Sequence, residues 1–221
     1  MNTPENSSKK PWPVKDAMVQ IYQQNLWGGD TEFYSGDGSH QLEIIQPYVK
    51  AVKDLIESFD EPLTICDLGC GDFNVGKELV RFAKQYTAVD IVPALIERNQ
   101  KEFSVSNLTF QCLDIASDTL PDADCVIIRQ VLQHLSNAEV QKVVDKLDQF
   151  QYILLTEHLP EGDFTPNLEI ISGQGIRLKN DSGIDLLAPP FNLKLKEKKV
   201  LSRITSKAFK GQIVTYLLRM F

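Results

Sequence analysis

The sequence predicts an α/β fold: a seven-stranded sheet, parallel except for an antiparallel strand of a C-terminal hairpin, with helices on both faces. Between Leu63 and His158, short β-branched runs alternate with helix-like stretches, the pattern of a parallel sheet buried on both sides. The ending breaks that alternation. KVLSRITSK (199–207) and QIVTYLLRMF (212–221) are joined by AFKG alone, too short a link for a crossover helix, so the two runs pair as a hairpin. Composition agrees: 221 residues, 43% hydrophobic and 24% charged, describe one globular domain with length enough for a core.

The elements follow in order. Residues 1–13, MNTPENSSKKPWP, lack an apolar h-region and read as a disordered polar tail, not a signal peptide. Residues 14–62 hold two helices and a loop. Val14 to Leu26 carries Val14, Ala17, Met18, Ile21 and Tyr22 on one helical stripe. WGGDTEFYSGDGSH, Trp27 to His40, is too rich in glycine for a regular element and too aromatic for a casual loop; it reads as a lid. Ser39 is expected to cap a helix running to about Phe59, with Leu42, Ile45, Val49, Val52, Leu55 and Ile56 inward and Pro47 in an early turn.

Residues 63–221 form the sheet domain. LTICDL is the first strand and Val75 to Gln85 the first crossover helix. YTAVDIV is the second strand, followed by a helix from Pro93 to Phe103 with proline at its start. LTFQCLDI and DCVIIRQ are the third and fourth strands. Ser136 to Glu139, SNAE, is a capping box that opens a helix burying Val140, Val143, Val144 and Leu147. YILLTEH is the fifth strand. The segment 160–193 is long for one connection; one helix is its expected share, and the surplus reads as an insertion over an acceptor site.

Charge and cysteines exclude several function classes. The net charge of −7 argues against a nucleic-acid binder, and the one basic cluster, KLKEKK at 194–199, reads as a solvated face. Cys66, Cys70, Cys112 and Cys125 form no Cys-x-x-Cys pair and have no histidine at zinc-ligand spacing, so they read as reduced core thiols without a metal. A reducing compartment, the cytoplasm, is expected, and no apolar run approaches the ~20 residues needed to span a bilayer.

The turn after the first strand carries the chemistry. LTICDLGCGDFNVG, Leu63 to Gly76, runs from a strand into glycines at the sheet's carboxyl edge, where open α/β sheets bind ligands. A dinucleotide fingerprint needs a third glycine, but that position is Asn74. Asp67 and Asp72 flank the turn, and like charges about 4 Å apart repel by about 4 kcal/mol at an effective dielectric near 20. A pyrophosphate fits this poorly. S-adenosylmethionine fits it well: it carries an ammonium for Asp67, a sulfonium, and one carboxylate for the amides of the turn, around Gly69, Cys70, Gly71, Asp72 and Asn74. Asp90 ends the second strand and suits both ribose hydroxyls, with Ile91 beside it. Asp114 ends the third strand and suits the adenine amino group, with the Ile115 amide for a ring nitrogen.

These stretches resemble the class I S-adenosylmethionine-dependent methyltransferases, which implies a Rossmann-like sheet from about Leu63 to Phe221. The residues that carry the resemblance are DLGCG (67–71), Asp90 in AVDIV, CLDI around Asp114, and the terminal hairpin. Phe73 stands where that family usually has its third glycine. CGDFNVG, RQVLQHLSNAE and PPFNL together resemble a bacterial methyltransferase group of unassigned substrate, in which an SGDGSH-like segment precedes the domain.

Methyl transfer needs alignment and exclusion of water, with a general base only for a hydroxyl or a protonated amine. His158, beside Glu157, is the first choice for that base, with His134 second, while His40 closes the lid loop. Arg129 and Gln130, polar residues ending an apolar strand, are expected on the cofactor floor or in the acceptor pocket. Tyr34, Ser35 and Ser39 are expected to face cofactor or acceptor, Glu157 to face the acceptor, and Arg177 an anionic group on the acceptor. The acceptor is expected to be a small-molecule or glycan-like metabolite. Two other readings stand beside the enzyme. One is a non-catalytic subunit that binds S-adenosylmethionine or a protein partner. The other, disfavoured by Asp67, Asp72 and the missing glycine, is an NAD-dependent oxidoreductase.

Overall fold

A computed structural model describes residues 12–221, so most of the expected tail, residues 1–11, lies outside the described residues. Seven strands form one sheet: β1 (Thr64–Leu68), β2 (Gln85–Asp90), β3 (Leu108–Cys112), β4 (Cys125–Arg129), β5 (Tyr152–Leu159), β6 (Glu197–Thr205) and β7 (Gln212–Arg219). Their order is β3-β2-β1-β4-β5-β7-β6. Strands β1 to β5 pair in parallel, whereas β7 is antiparallel to both β5 and β6. The sheet and its hairpin are as the alternation and the short AFKG link require.

Alternation along the strands divides the interior in two. Cys66 and Leu68 of β1 and Val126 and Ile128 of β4 join one core with Met18, Ile21, Val140 and Val143. Ile65 and Ile127, from the same strands, join the opposite core with Ile45, Tyr48, Val52 and Ile56. Helices α1 (Val14–Gln23) and α4 (Asn137–Val144) cover the first face; α2 (Leu42–Ile56) covers the second, and α3 (Pro93–Glu102) contributes Leu95 to one core and Ile96 to the other. The capping box at Ser136 forms in full.

Four elements depart from the sequence reading. Helix α1 stops at Gln23, because Asn25 turns left-handed (φ 51°) and the amides of Asn25 and Leu26 fold back onto the carbonyls of Tyr22 and Ile21. Ser39 does not cap α2: it sits in a separate 3₁₀ turn, Asp37–Ser39, and α2 starts after Gln41. Within α2, Leu42 is exposed and Pro47 lies a turn and a half in, while Tyr48 takes the inward place. The expected helix from Val75 to Gln85 is absent. Phe73 adopts φ 61° with its ring buried edge-on to Tyr86, Phe103 and Phe110, and Gly76 packs under that ring with no room for a Cβ. The chain therefore crosses back in two 3₁₀ turns, Gly76–Glu78 and Val80–Phe82.

Residues 160–193 also hold no α-helix, only a 3₁₀ turn at Arg177–Asn180. Polar staples replace helical bonds there. Asn167 donates to the carbonyls of Asp185 (2.8 Å) and Pro189 (3.0 Å) and accepts from the Asp185 amide (2.9 Å).

Candidate functional site

Strand order reverses between β1 and β4, and the carboxyl ends of β1, β2 and β4 open there on a cavity of about 420 Å³. In register, Asp67 lies between Ala88 and Ile127, so the acids of β1 and β2 and Arg129 of β4 arrive at one edge. Gly69 (φ 77°) and Gly71 (φ 56°) are left-handed, which an L side chain resists. A side chain at Gly69 would overlap Val131, and a Cβ at Gly71 would lie 2.5 Å from the Ser35 hydroxyl.

The turn's own amides are all engaged. Gly69 and Cys70 donate to the Val89 carbonyl (2.8 and 2.9 Å), Gly71 to Asp90 Oδ2 (3.1 Å) and Asp72 to Ser35 Oγ (2.8 Å). Phe73 donates to the Cys70 carbonyl (3.1 Å) and Asn74 to Asp72 Oδ1 (3.2 Å). The expectation that these amides receive a carboxylate is therefore corrected: the turn spends them on its own shape.

The acids differ in what they have left to offer. Asp67 accepts from the Tyr86 hydroxyl (2.9 Å), and burial lifts its pKa to about 6 despite that bond and nearby Arg129. Asp90 holds the amides of Gly71 and Val92 (3.1 Å each), and its pKa too is raised by burial. Asp114 lies beyond the end of β3 and borders the cavity, as do Ile91 and Ile115; its oxygens accept from the Ala116 amide (2.9 Å) and the Ser117 hydroxyl (2.8 Å). Cys70 and Gln130 border the cavity as well, and Gln130, just after β4, is left-handed (φ 57°) with its side chain against Gly38. Asn74 does not border it. Its side chain donates instead to the Ser39 carbonyl (2.7 Å), tying the turn to the loop above.

That loop, 27–40, is fastened at both charges of the site. Asp72 meets His40 Nε2 (2.5 Å) and the Ser35 amide (3.3 Å), while Tyr22 OH and Ser35 Oγ share a hydrogen bond (2.9 Å). Arg129 donates to Ser39 Oγ (3.2 Å) and the Gly38 carbonyl (2.5 Å), and its guanidinium lies over the Tyr48 ring, 4.9 Å from the centroid. Ser35 and Ser39 border the cavity. Tyr34 does not: it stacks on His40 and donates to Asp37 (2.7 Å), so its expected contact with a ligand is corrected.

The two candidate bases part company. His134 Nδ1–H donates to the Gly173 carbonyl (3.2 Å), and its Nε2 accepts from the Gln133 amide (3.3 Å). Burial pushes its pKa down to about 4, and its ring packs against Trp27, centroids 5.2 Å apart. With both nitrogens committed, His134 is wall and not base. His158 Nε2–H donates to the Lys210 carbonyl (2.6 Å), which leaves Nδ1 as the acceptor of a neutral ring bordering the cavity; burial lowers this pKa also.

Glu157 and Arg177 lie elsewhere. Glu157, on the opposite side of β5 from His158, is fully buried, and neither carboxyl oxygen completes a hydrogen bond. Burial raises its pKa to about 8 against the opposing pull of Arg177 and the Gln133 and Leu132 backbone. The Arg177 guanidinium, 1% exposed, donates to the carbonyls of Leu168 (2.9 Å), Leu132 (3.2 Å) and Leu135 (2.8 Å) and to Asn137 Oδ1 (2.7 Å). It braces the 160–193 segment against the loop after β4 and has nothing left for an acceptor. From that segment Gln174, Ile176 and Lys179 border the cavity instead. Tyr22, Trp27 and Tyr48 were not singled out as site residues. Tyr48 was legible in principle, since it follows Ile45 by three on the inward stripe of α2.

Comparisons with known proteins agree with this geometry. No curated protein sequence matches the chain. Among solved structures, the chain is similar to the N-methyltransferase NodS from Bradyrhizobium japonicum WM9, in complex with S-adenosyl-L-homocysteine. The identity is 12%, covering 92% of this chain and 99% of that one, with a TM-score of 0.66. A second is magnesium protoporphyrin IX methyltransferase (ChlM) from Synechocystis PCC 6803 with bound S-adenosylmethionine: 16% identity, 95% and 99% coverage, TM-score 0.58. A third is a S-adenosylmethionine-dependent methyltransferase from Leishmania major: 15% identity, 94% and 87% coverage, TM-score 0.64. These likenesses give the fold, the Rossmann-like sheet of the class I methyltransferases. Residues 65–150, which include the glycine turn, Asp90, Asp114 and Arg129, match a family model described as a methyltransferase domain. Residues 65–150 thus resemble a methyltransferase domain, and the chain as a whole has the class I methyltransferase fold.

Proposed function

We propose that this protein transfers a methyl group from S-adenosylmethionine to a small-molecule or glycan-like acceptor. One observation carries the reading. The glycine turn keeps none of its amides for a phosphate and is walled by Asp67, Asp72 and Asp90, which suits a cationic ligand and repels a pyrophosphate. When bound, S-adenosylmethionine supplies a methyl carbon activated by its sulfonium.

The chain's own residues do the holding. Asp90 is suited to the ribose hydroxyls and Asp67 to the ammonium, while Asp114 and Ile115 border the cavity where an adenine edge would lie. The loop 27–40, bonded to Asp72 and Arg129, covers the cavity and keeps water out. His158 is the group suited to take a proton: burial keeps its ring neutral near pH 7, and its bond to the Lys210 carbonyl leaves Nδ1 open. A hydroxyl or amine acceptor would need that proton removed. The four free thiols and the net charge of −7 fit a cytoplasmic protein that does not act on nucleic acid. Among the described residues no helix is long and apolar enough to cross a membrane.

Calorimetric titration with S-adenosylmethionine and with NAD tests the reading. Binding of the first and not the second is expected, and Asp90→Ala should lose at least tenfold in affinity, since each charge-assisted hydrogen bond contributes roughly 1.5–3 kcal/mol. Equal affinity of a folded Asp90→Ala variant, or a preference for NAD, would overturn it.

A further inference from the structure

We propose that a second cavity, on the far side of β5 from His158, binds a short amphipathic carboxylate. Its alkyl chain would lie against the sheet and its anionic head between Lys198 and Arg203. The inference is independent of the S-adenosylmethionine reading, because the two cavities share no lining residue.

The cavity itself is the first observation. Alternation along β5 turns Leu155 and Leu159 to the side opposite His158. Residues 160–193 cross that side without an α-helix, and a space of about 250 Å³ remains beneath them. Leu155, Leu159, Leu186 and Leu218, none more than 3% exposed, line it together with Phe164 and Tyr216. Ligand clefts usually measure roughly 300–1,000 Å³, so this one suits a small occupant with an apolar body.

The second observation is a bulge that re-aims a cation. Lys198 and Arg203 are five residues apart on β6, a spacing that puts side chains on opposite faces of a regular strand. Val200 pairs with Tyr216 and Ser202 with Thr215, so Leu201 is an extra residue and the alternation inverts across it. Lys198, opposite Leu218, and Arg203, opposite Val214, therefore share one face, and both border the cavity. Lysines on an edge strand commonly guard it against pairing. That role accounts for charge on β6, but not for a bulge that gathers both cations over an apolar space.

The third observation is the charge left unmatched. Among the described residues neither Lys198 nor Arg203 forms a salt bridge. The Arg203 guanidinium donates to Gln212 Oε1, and the Gln212 amide nitrogen donates to the Pro160 carbonyl (2.8 Å). Lys198 Nζ lies over the Tyr216 ring, 4.3 Å from its centroid. Both cations are thus positioned before any ligand arrives. Asp185 is the one acid among the lining residues, and its Oδ1 accepts from the Leu187 amide (2.9 Å). Two cations against one acid, in a chain of net charge −7, ask for an anion. The guanidinium fork suits a carboxylate head, and the leucines suit an alkyl tail. A phosphorylated or sulfated sugar would satisfy the cations and leave the leucines wet.

Calorimetry on the full chain with octanoate, 1-octanol and octyltrimethylammonium tests the proposal. Octanoate should bind at least about tenfold more tightly than octanol, and the octyl cation should not bind. Lys198→Met and Arg203→Met keep an unbranched apolar stem at exposed positions, so the fold is not at risk. Each should weaken octanoate by about three- to tenfold and change octanol by no more than about twofold. Unchanged octanoate affinity in both variants overturns the proposal, as does octanol binding as tightly as octanoate, or a folded wild type that binds no octanoate. Sedimentation of the wild type as a dimer that the double variant dissociates would give this face to a second copy of the chain, and overturn it too.

Discussion

Glu157 offers a test of the interior that is independent of any ligand. Its carboxyl is fully buried, makes no hydrogen bond, and titrates at about 8 because burial disfavours its charged form. An unfolded glutamate titrates near about 4.3. The folded state therefore keeps a proton that the unfolded state has already lost, and stability falls as pH rises toward 8. Other buried groups act in different windows. His134, pushed down to about 4, favours folding as pH rises from that value to its ordinary one near 6.5, and Asp67, raised to about 6, acts below that pH. Between pH 6.5 and 8 the shift at Glu157 stands apart from these. Over that range the Glu157 carboxyl alone should cost the wild type roughly 1.6 kcal/mol, from the linkage relation at about 1.4 kcal/mol per pH unit. For a chain of this length that is about 3–7 °C in Tm. Glu157→Gln keeps the shape and cannot ionise, so it should lack this loss, and the gap between variant and wild type should widen by that amount across the same range. Urea unfolding at four pH values for both proteins measures the difference. Wild type and variant running parallel from pH 6.5 to 8 would refute the reasoning, because the buried carboxyl would then be charged or matched in ways the geometry does not contain.

Two further outcomes follow from the same structure. Arg177→Ala removes donors from the Leu132, Leu135 and Leu168 carbonyls and strips Glu157 of its neighbouring cation. It should cost about 3–5 kcal/mol, the scale for breaking a buried charged network, and a loss below about 1 kcal/mol in urea unfolding would show that the brace is dispensable. The loop 27–40 should exchange its amide hydrogens more slowly once S-adenosylhomocysteine is bound, since Ser35, Gly36, Gly38 and Ser39 border the cavity. Equal and high protection in both states would make the loop a fixed cover.

The strands were legible because each is a short apolar run with β-branched residues, and α4 because Ser136 and Glu139 stand at capping-box spacing. The missing crossover helix was not. Val75, Leu79, Val80 and Ala83 have helical spacing, and all are buried, but only ten residues separate Asn74 from Gln85. The left-handed Phe73, which fixes how the chain leaves the turn, is a tertiary effect of three aromatic neighbours. The positions of Asp67, Asp90 and Gly71 at the site followed from strand ends alone. Arg177 and Glu157 were misread for one reason: a charged residue in sequence gives no sign of being buried. Tyr48 was passed over because the inward stripe of α2 was read from aliphatic residues, and a tyrosine there presents a hydroxyl to the interior.

The two 3₁₀ turns after the glycines have an electrostatic consequence. A full α-helix starting there would bring about half a positive charge to the ligand through its aligned peptide dipoles. Turns of three residues each, Gly76–Glu78 and Val80–Phe82, align too few peptides to do so. The potential over the cavity is then left to side chains, and Asp67, Asp72 and Asp90 outnumber Arg129. Under the proposed function, such a field distinguishes the two sides of turnover. The donor enters with a positive sulfur and leaves with a neutral one, so the wall that draws it in loses part of its hold once the methyl group has gone. Release of the spent donor is thereby favoured by the same carboxylates that bound the fresh one.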